Sequence, residues 1–430
     1  MLRRLFGFDQ GKTTVKTEIW AGITSFLTMS YILAVNPAMF SLLDGMPQGS
    51  VFTTTAIVAI VSTLIVAFLA KMPFGIAPGM GGNALFVFTI CMSMGYSWQF
   101  ALTGVLIEGL ILLFLTVTNL REAIISSIPK SIQQAISIGI GLFITFIGLQ
   151  NAGIVVDDPS TLVRFGNVSE GHGLLAIIGL ILTAAMMILK IKGAILIGIA
   201  LTAIIGIPMG ITQFQGFVSM PQSIAPIFCK FDFSNILSAD MLLIVLSLLF
   251  LDLFSLTGSA IGVCLKAGYG EAGGKIRGIK KLFIADSIGT IVSSISGSTA
   301  ACTFIESSSG VEEGGRSGLT AFVTAICFVA ALFFSPLFLS IPTAAISPAL
   351  IIVGLSMFSG IKDISFEDMS EYLPAFMTIV IMPMAYSIAD GIIFGILSYV
   401  FINLLCGKGK KISTGTYILA GIFLLKYIFL

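Results

Sequence analysis

The sequence predicts an all-α integral membrane protein with fourteen membrane-spanning segments, arranged as two inverted halves of seven. Three observations predict it. The 430 residues are 57% hydrophobic and only 10% charged, whereas a soluble chain carries roughly a quarter charged residues to cover its surface. Lipid must therefore cover this one. Apolar runs near the ~20 residues that cross a bilayer follow one another along most of the chain. Finally, the few cations segregate to one side of those runs, as the positive-inside rule requires.

In order, the spans are expected near 18–38, 51–70, 74–92, 98–118, 130–149, 172–189, 193–211, 239–263, 282–295, 297–310, 317–340, 342–360, 372–386 and 388–405. The run 416–430 is short and amphiphilic, and reads as an interfacial or C-terminal helix. The N-terminus carries Arg3 and Arg4 but no cleavable signal pattern, so the first run reads as a retained span. With both termini cytoplasmic, only Arg164 and Lys230 of the 22 Lys and Arg fall outside, and Lys426 lies in the tail. Arg121, after the fourth span, counts among the cytoplasmic cations. The longer outer loops, 150–171 and 212–238, carry Asp157, Asp158, Glu170 and Asp232. The expected location is an inner or plasma membrane, crossed many times.

Several function classes fall away. The six cysteines are scattered without a CxxC pair, and the one histidine, His172, cannot build a metal centre. No metal site and no cofactor are expected. A net charge of +1 with sparse cations gives no nucleic-acid surface. Neither a Gly-x-Ser-x-Gly elbow nor a phosphate loop appears, which argues against an enzyme.

Two spans are interrupted. The third opens with Gly75-Ile76-Ala77-Pro78-Gly79-Met80-Gly81-Gly82-Asn83, and the tenth with Ser296-Gly297-Ser298-Thr299-Ala300-Ala301-Cys302-Thr303. Each lies at a similar offset into its half, as an inverted repeat requires. Non-helical backbone at membrane depth is tolerated only where it is buried in protein or lines water. A half-helix starting there exposes free N–H groups and a positive dipole end, which can bind acceptor atoms of a small polar solute. The plainer reading is close helix packing through small residues. Two such breaks at matching offsets favour a substrate site.

Ionisable residues inside spans are costly and mark function. Asp252 and Glu306 are the foremost candidates, and Asp286 either braces the tenth span or carries a proton. Glu108 reads as a helix–helix contact, whereas Asp390 and His172 lie near boundaries. No Lys or Arg lies within a span to pair these acids, so protonation is the expected way to keep them buried. That points to proton coupling.

At these residues the chain resembles the nucleobase:cation symporter-2 superfamily, and within it the adenine/guanine/hypoxanthine permease family. The matching stretches are Ala21–Tyr31, Val35-Asn36-Pro37, Ala77–Ala84, Asn151–Val155, Ala285–Thr290, Glu306-Ser307 and Gly314–Thr320. The resemblance implies a seven-plus-seven inverted repeat with short strands in spans 3 and 10. It implies a core domain over 18–118 and 239–340 and a gate domain over 119–212 and 341–406. The segments 1–17 and 407–430 would flank these domains, and 213–238 would be an outer loop. Asn83, Asp252 and Glu306 are then the binding residues, with Asp286 as a supporting acid. Asp252, Asp286 and Glu306 would handle the proton. Phe86 and Phe254 would flank the base, and backbone at Ala300 and Ala301 would meet its acceptor atoms. The family usually has a second acid three residues after the first in the eighth span, where this chain has Ser255. The implied activity is proton-coupled uptake of a purine nucleobase by alternating access, with purine, proton and lipid bilayer as partners. The sequence is compatible with a homodimer. Competing readings are a carrier of uracil or an anion on the same fold, a channel, or a membrane enzyme.

Overall fold

Span 1 runs Val15–Phe40 as two helices, Val15–Met29 and Ile32–Phe40, which meet at Ser30 and Tyr31. The structure is a computed structural model and describes residues 2–11, 13–121, 124, 128–270 and 276–429. The side chains at 255–262, 265, 266 and 425–429 lie outside that description.

Span 2 is Gln48–Ala70. Span 3 begins as strand β1 (Ile76–Pro78) and continues as the helix Met80–Ser93. Span 4 is Trp98–Val117 and span 5 Lys130–Asn151. A hairpin of β2 (Val155–Asp158) and β3 (Leu162–Phe165) follows, within the expected outer loop. Span 6 is Gly171–Ile188 and span 7 Ala194–Gly206. Span 7 stops short of the expected residue 211, because Pro208 has no N–H to continue the ladder and Gly210 turns at φ 71°. Span 8 is Ala239–Lys266 and span 9 Ile279–Ser296. Span 10 is β4 (Ala301–Thr303) followed by the short helix Ser307–Glu312. Spans 11 to 14 are Gly318–Leu339, Thr343–Phe358, Met369–Met384 and Ile388–Leu405. The C-terminal run forms a helix, Thr414–Phe429, which docks on span 14 and buries Phe423 against Phe250 of span 8.

Among the described residues, eight helices are long and apolar enough to cross a bilayer alone. Of the remaining spans, 3 and 10 are broken and 7 and 13 are short, as in an inverted-repeat transporter, whereas 8 and 9 are continuous helices whose apolar runs are interrupted by charged residues. Their packing falls into two groups. Spans 1 to 4 pack with spans 8 to 11, and spans 5 to 7 pack with spans 12 to 14.

The two breaks meet. β1 and β4 pair antiparallel, with Ile76 opposite Thr303, Ala77 opposite Cys302 and Pro78 opposite Ala301. Gly79 N–H donates to the Ala300 carbonyl at 3.0 Å, and Phe304 N–H donates to the Gly75 carbonyl at 3.1 Å. Backbone that could not be left bare in lipid is thus satisfied across the two halves. Gly79 is required by close approach, because a Cβ there would sit 2.6 Å from Cys302 Sγ. Gly297 turns the chain from span 9 into span 10 at φ 92°, a conformation open to glycine.

Candidate substrate site

The span 1 break positions the tenth span. Thr28 Oγ1 donates to the Glu306 carbonyl at 3.2 Å, and Tyr31 donates its hydroxyl to Glu306 Oε1 at 2.8 Å. Ser307 Oγ, one residue on, accepts from Gly75 N–H at 3.0 Å. Deeper in span 1, Asn36 Nδ2 donates to Thr55 Oγ1 at 2.6 Å and to Ser298 Oγ at 3.4 Å. One side of the crossing strands is therefore pinned by hydrogen bonds from span 1.

Beside this crossing lies a cavity of about 1620 Å³. At its deep end it is lined by Tyr31, Met80, Gly81, Phe254, Cys302 and Glu306. Gln133, Gln134 and Ser137 of span 5 and Val353 of span 12 line the facing wall. It opens at the end of the molecule that carries Lys190, Lys192, Glu312, Glu313 and Asp363. The cavity thus lies between the two packed groups of spans. Gly79 offers no side-chain cap to the helix that starts at Met80. Met80 and Gly81, in the first turn of that helix, line the cavity, and first-turn N–H groups have no partner within their own helix. Glu306 supplies acceptor oxygens, and Phe254, stacked near-parallel on Phe250 at 6.0 Å, supplies an apolar ring.

The sequence-predicted residues divide into three sets. Glu306 and Phe254 line the cavity. Asn83, Phe86, Ala300 and Ala301 are buried behind it. Asn83 is one turn into span 3, and its Oδ1 has no hydrogen-bond partner among the described residues. Phe86 stacks on Phe40 at 5.2 Å. The Ala300 carbonyl accepts from Gly79 N–H, and that of Ala301 from Thr290 Oγ1 at 3.1 Å, so both hold the strand crossing. The third set, Asp252 and Asp286, faces away from the cavity lining into a buried charge cluster. The side chain of Ser255 lies outside the described residues.

That cluster corrects one expectation. A cation does pair the intramembrane acids. Arg121 is 1% exposed, and its Nη2 lies 3.6 Å from Asp252 Oδ2 and 3.7 Å from Asp286 Oδ2. Its guanidinium carbon sits 4.3 Å from the centroid of the Phe283 ring. Glu108, fully buried on span 4, completes the group. Charge counting along the chain put Arg121 at the membrane surface because it follows the end of span 4. Its long side chain instead turns inward, which hydropathy does not register. Tyr31 was also missed as a site residue. It sits in a stretch rich in family resemblance, but only its contact with Glu306 distinguishes it from an ordinary buried tyrosine.

A model described as the Permease family matches residues 16–394. The chain belongs to this family. As a nucleobase:cation symporter-2 member it is a permease and not an enzyme. It is 40% identical to the guanine/hypoxanthine permease PbuG of Bacillus subtilis over the whole of both chains. It is 37% identical to the adenine permease AdeP of Escherichia coli, covering 100% of this chain and 96% of that one. Among solved structures, the fold is similar to the transmembrane domain of the cyanobacterial bicarbonate transporter BicA. That match has TM-score 0.63 at 16% identity, covering 88% of this permease and 97% of that chain. The structure of SLC26A9 matches with TM-score 0.64 at 13% identity, covering 93% and 68%. At these identities the likeness concerns the fold alone.

Proposed function

We propose that this permease is a proton-coupled carrier that takes up purine nucleobases by alternating access. The observation that carries the reading is the Glu306 carboxyl, held by Tyr31 at the wall of the cavity where Phe254 and the start of the span 3 helix also converge. A purine presents ring N–H donors, acceptor nitrogens or carbonyls, and two apolar faces. Glu306 accepts from the ring N–H groups. Open backbone N–H groups at Met80 and Gly81 meet the acceptor atoms, and Phe254 covers one face. The relatives named as guanine/hypoxanthine and adenine permeases support the same substrate class.

In this reading the core is 18–118 with 239–340, the gate is 119–212 with 341–406, and the cavity between them opens to the cytoplasm. Both termini are cytoplasmic, and the host membrane is the plasma (inner) membrane. Access alternates when the core moves against the gate and carries the paired strands past it. Asp252, Asp286 and Glu306 handle the proton. An anion carrier is disfavoured, because Arg121 is matched by acids and does not line the cavity, and Lys190 and Lys192 line it in company with Glu312, Glu313 and Asp363.

The test is uptake into proteoliposomes of labelled adenine, guanine, hypoxanthine, xanthine and uracil, with and without an inward proton gradient. Purine accumulation abolished by an uncoupler is expected. Uptake of none of the purines, or purine accumulation indifferent to the uncoupler, overturns the substrate or the coupling respectively.

A further inference from the structure

Arg121 lies in the connection that carries the chain from span 4, ending at Val117, into span 5, beginning at Lys130. Its guanidinium is nevertheless buried against spans 8 and 9. The groups facing it are Asp252 from span 8, Asp286 and Phe283 from span 9, and Glu108 from span 4. The Cys302 thiol on β4 is near enough to feel the charges of Asp252, Asp286 and Glu306. Arginine stays charged in a protein interior. Three ionised carboxyls around one such cation would leave a net charge of −2 out of water, a state that burial forbids. The cluster is near neutral when one carboxylate pairs with Arg121 and the other two acids are protonated. Without Arg121 it would need one proton more. The guanidinium thus occupies the place of a single proton.

The pairing is loose. A locked arginine–carboxylate fork has N···O distances of about 2.7–2.9 Å, against 3.6 and 3.7 Å here. The guanidinium stays beyond close hydrogen-bond distance of both carboxyls, while Asp252 and Asp286 interact with one another as well as with it. The guanidinium is thus shared between two carboxyls rather than forked onto one.

We propose that Arg121 is an internal counter-cation that exchanges with the transported proton at Asp252 and Asp286, so that its guanidinium is held by the carboxylate when the proton leaves and released when it arrives. The inference rests on the proton-coupled transport proposed above. Protonation of the pair removes the charge that holds the guanidinium. Release of the proton toward the cytoplasm restores the carboxylate, and Arg121 returns to it. Arg121 is a positioning residue in this scheme and does not touch the base.

The experiment compares Arg121→Gln and Arg121→Lys with the wild-type chain in proteoliposomes. Exchange of labelled for unlabelled base at equal pH needs no net proton movement and reports folding and binding. Accumulation driven by a proton gradient, and its pH profile, report coupling. Arg121→Gln is expected to keep exchange and lose gradient-driven accumulation tenfold or more. The alkaline limb of its uptake profile should move up by about one to three pH units, the range that loss of an adjacent opposite charge produces. Arg121→Lys, which keeps the charge, is expected to keep a profile close to wild type. A wild-type profile and wild-type accumulation in Arg121→Gln overturns the proposal. So does equal loss in both variants with an unmoved profile, which marks a purely structural arginine. If Arg121→Gln fails even to exchange, Arg121→Lys decides: a wild-type profile upholds the charge role, and loss of exchange there too overturns it. A wild-type chain that moves no base, or moves it without protons, instead removes the reading beneath this one, and the wild-type arm separates the two failures.

Discussion

Replacing Glu306 with glutamine tests the site most directly, because the change keeps shape and alters one oxygen and one charge. In the native site Oε1 accepts the Tyr31 hydroxyl at 2.8 Å, and Glu306 lines the cavity. Glutamine can still accept from Tyr31 with its single carbonyl oxygen. Its amide N–H₂ then faces the cavity in place of a carboxylate oxygen, so a donor confronts the ring N–H of the base. The loss is at least one charge-assisted hydrogen bond, worth about 1.5–3 kcal/mol. At about 1.4 kcal/mol per tenfold, binding should weaken roughly 10- to 150-fold. The assay is equilibrium binding of a labelled purine to purified protein, alongside uptake by cells with matched surface expression. Tyr31→Phe is the companion. It leaves the carboxylate intact but removes its anchor, and should weaken binding by a smaller factor, about tenfold. Wild-type affinity in Glu306→Gln would refute the placement of the base against this carboxyl.

Three further predictions concern the frame around the site. Gly79→Ala should abolish uptake by driving a methyl to within 2.6 Å of Cys302 Sγ. Adding Cys302→Ala should partly restore it, since the next nearest atom, Cys302 Cβ, is 3.5 Å away; no recovery in the double variant counts against the steric account. Glu18 is fully buried and accepts from Arg316 N–H at 2.9 Å, Thr320 N–H at 3.1 Å and Thr320 Oγ1 at 2.5 Å, so it caps the start of span 11. Glu18→Gln sets an amide donor against those N–H groups and should lower stability by about 1–3 kcal/mol, read as a fall in melting temperature in detergent; an unchanged melting temperature rejects the cap. Asp368, exposed at the start of span 13, is held well below the usual carboxylate range by Lys408, 2.9 Å from both its oxygens, and by Ser370. A depressed folded value means this contact stabilises the fold above the unfolded value, about 3.9, and is lost as pH falls through the folded value. The deficit of Asp368→Asn should therefore be present near neutral pH and vanish in strong acid; a deficit that persists there removes the ionic cause.

Much of the architecture is legible in residue order, because a bilayer imposes length and polarity rules on each span separately. The Gly-Pro and Ser-Gly-Ser interruptions mark the two broken spans for the same reason: backbone that leaves the helix inside lipid must be buried or face water. Gly297 announces a turn by composition alone. The boundaries of span 7 are less legible, since Ile207 and Ile211 are apolar enough for lipid while Pro208 and Gly210 end the helix.

What each buried polar group faces was decided only by tertiary structure. Asp252 and Glu306 look alike along the chain, each an acid in an apolar run. The fold turns Glu306 to the cavity beside Tyr31 and turns Asp252 to Arg121 and Asp286. Phe86 and Phe254 are equally plausible partners for a flat solute, yet one stacks on Phe40 and the other lines the cavity. Arg121 shows the cause most plainly. Hydropathy assigns a residue a depth by its position in the chain, but a guanidinium stands several ångströms from its own backbone and settles where opposite charge lies. Carboxyls from three different spans supply that charge, and only the folded chain brings them together.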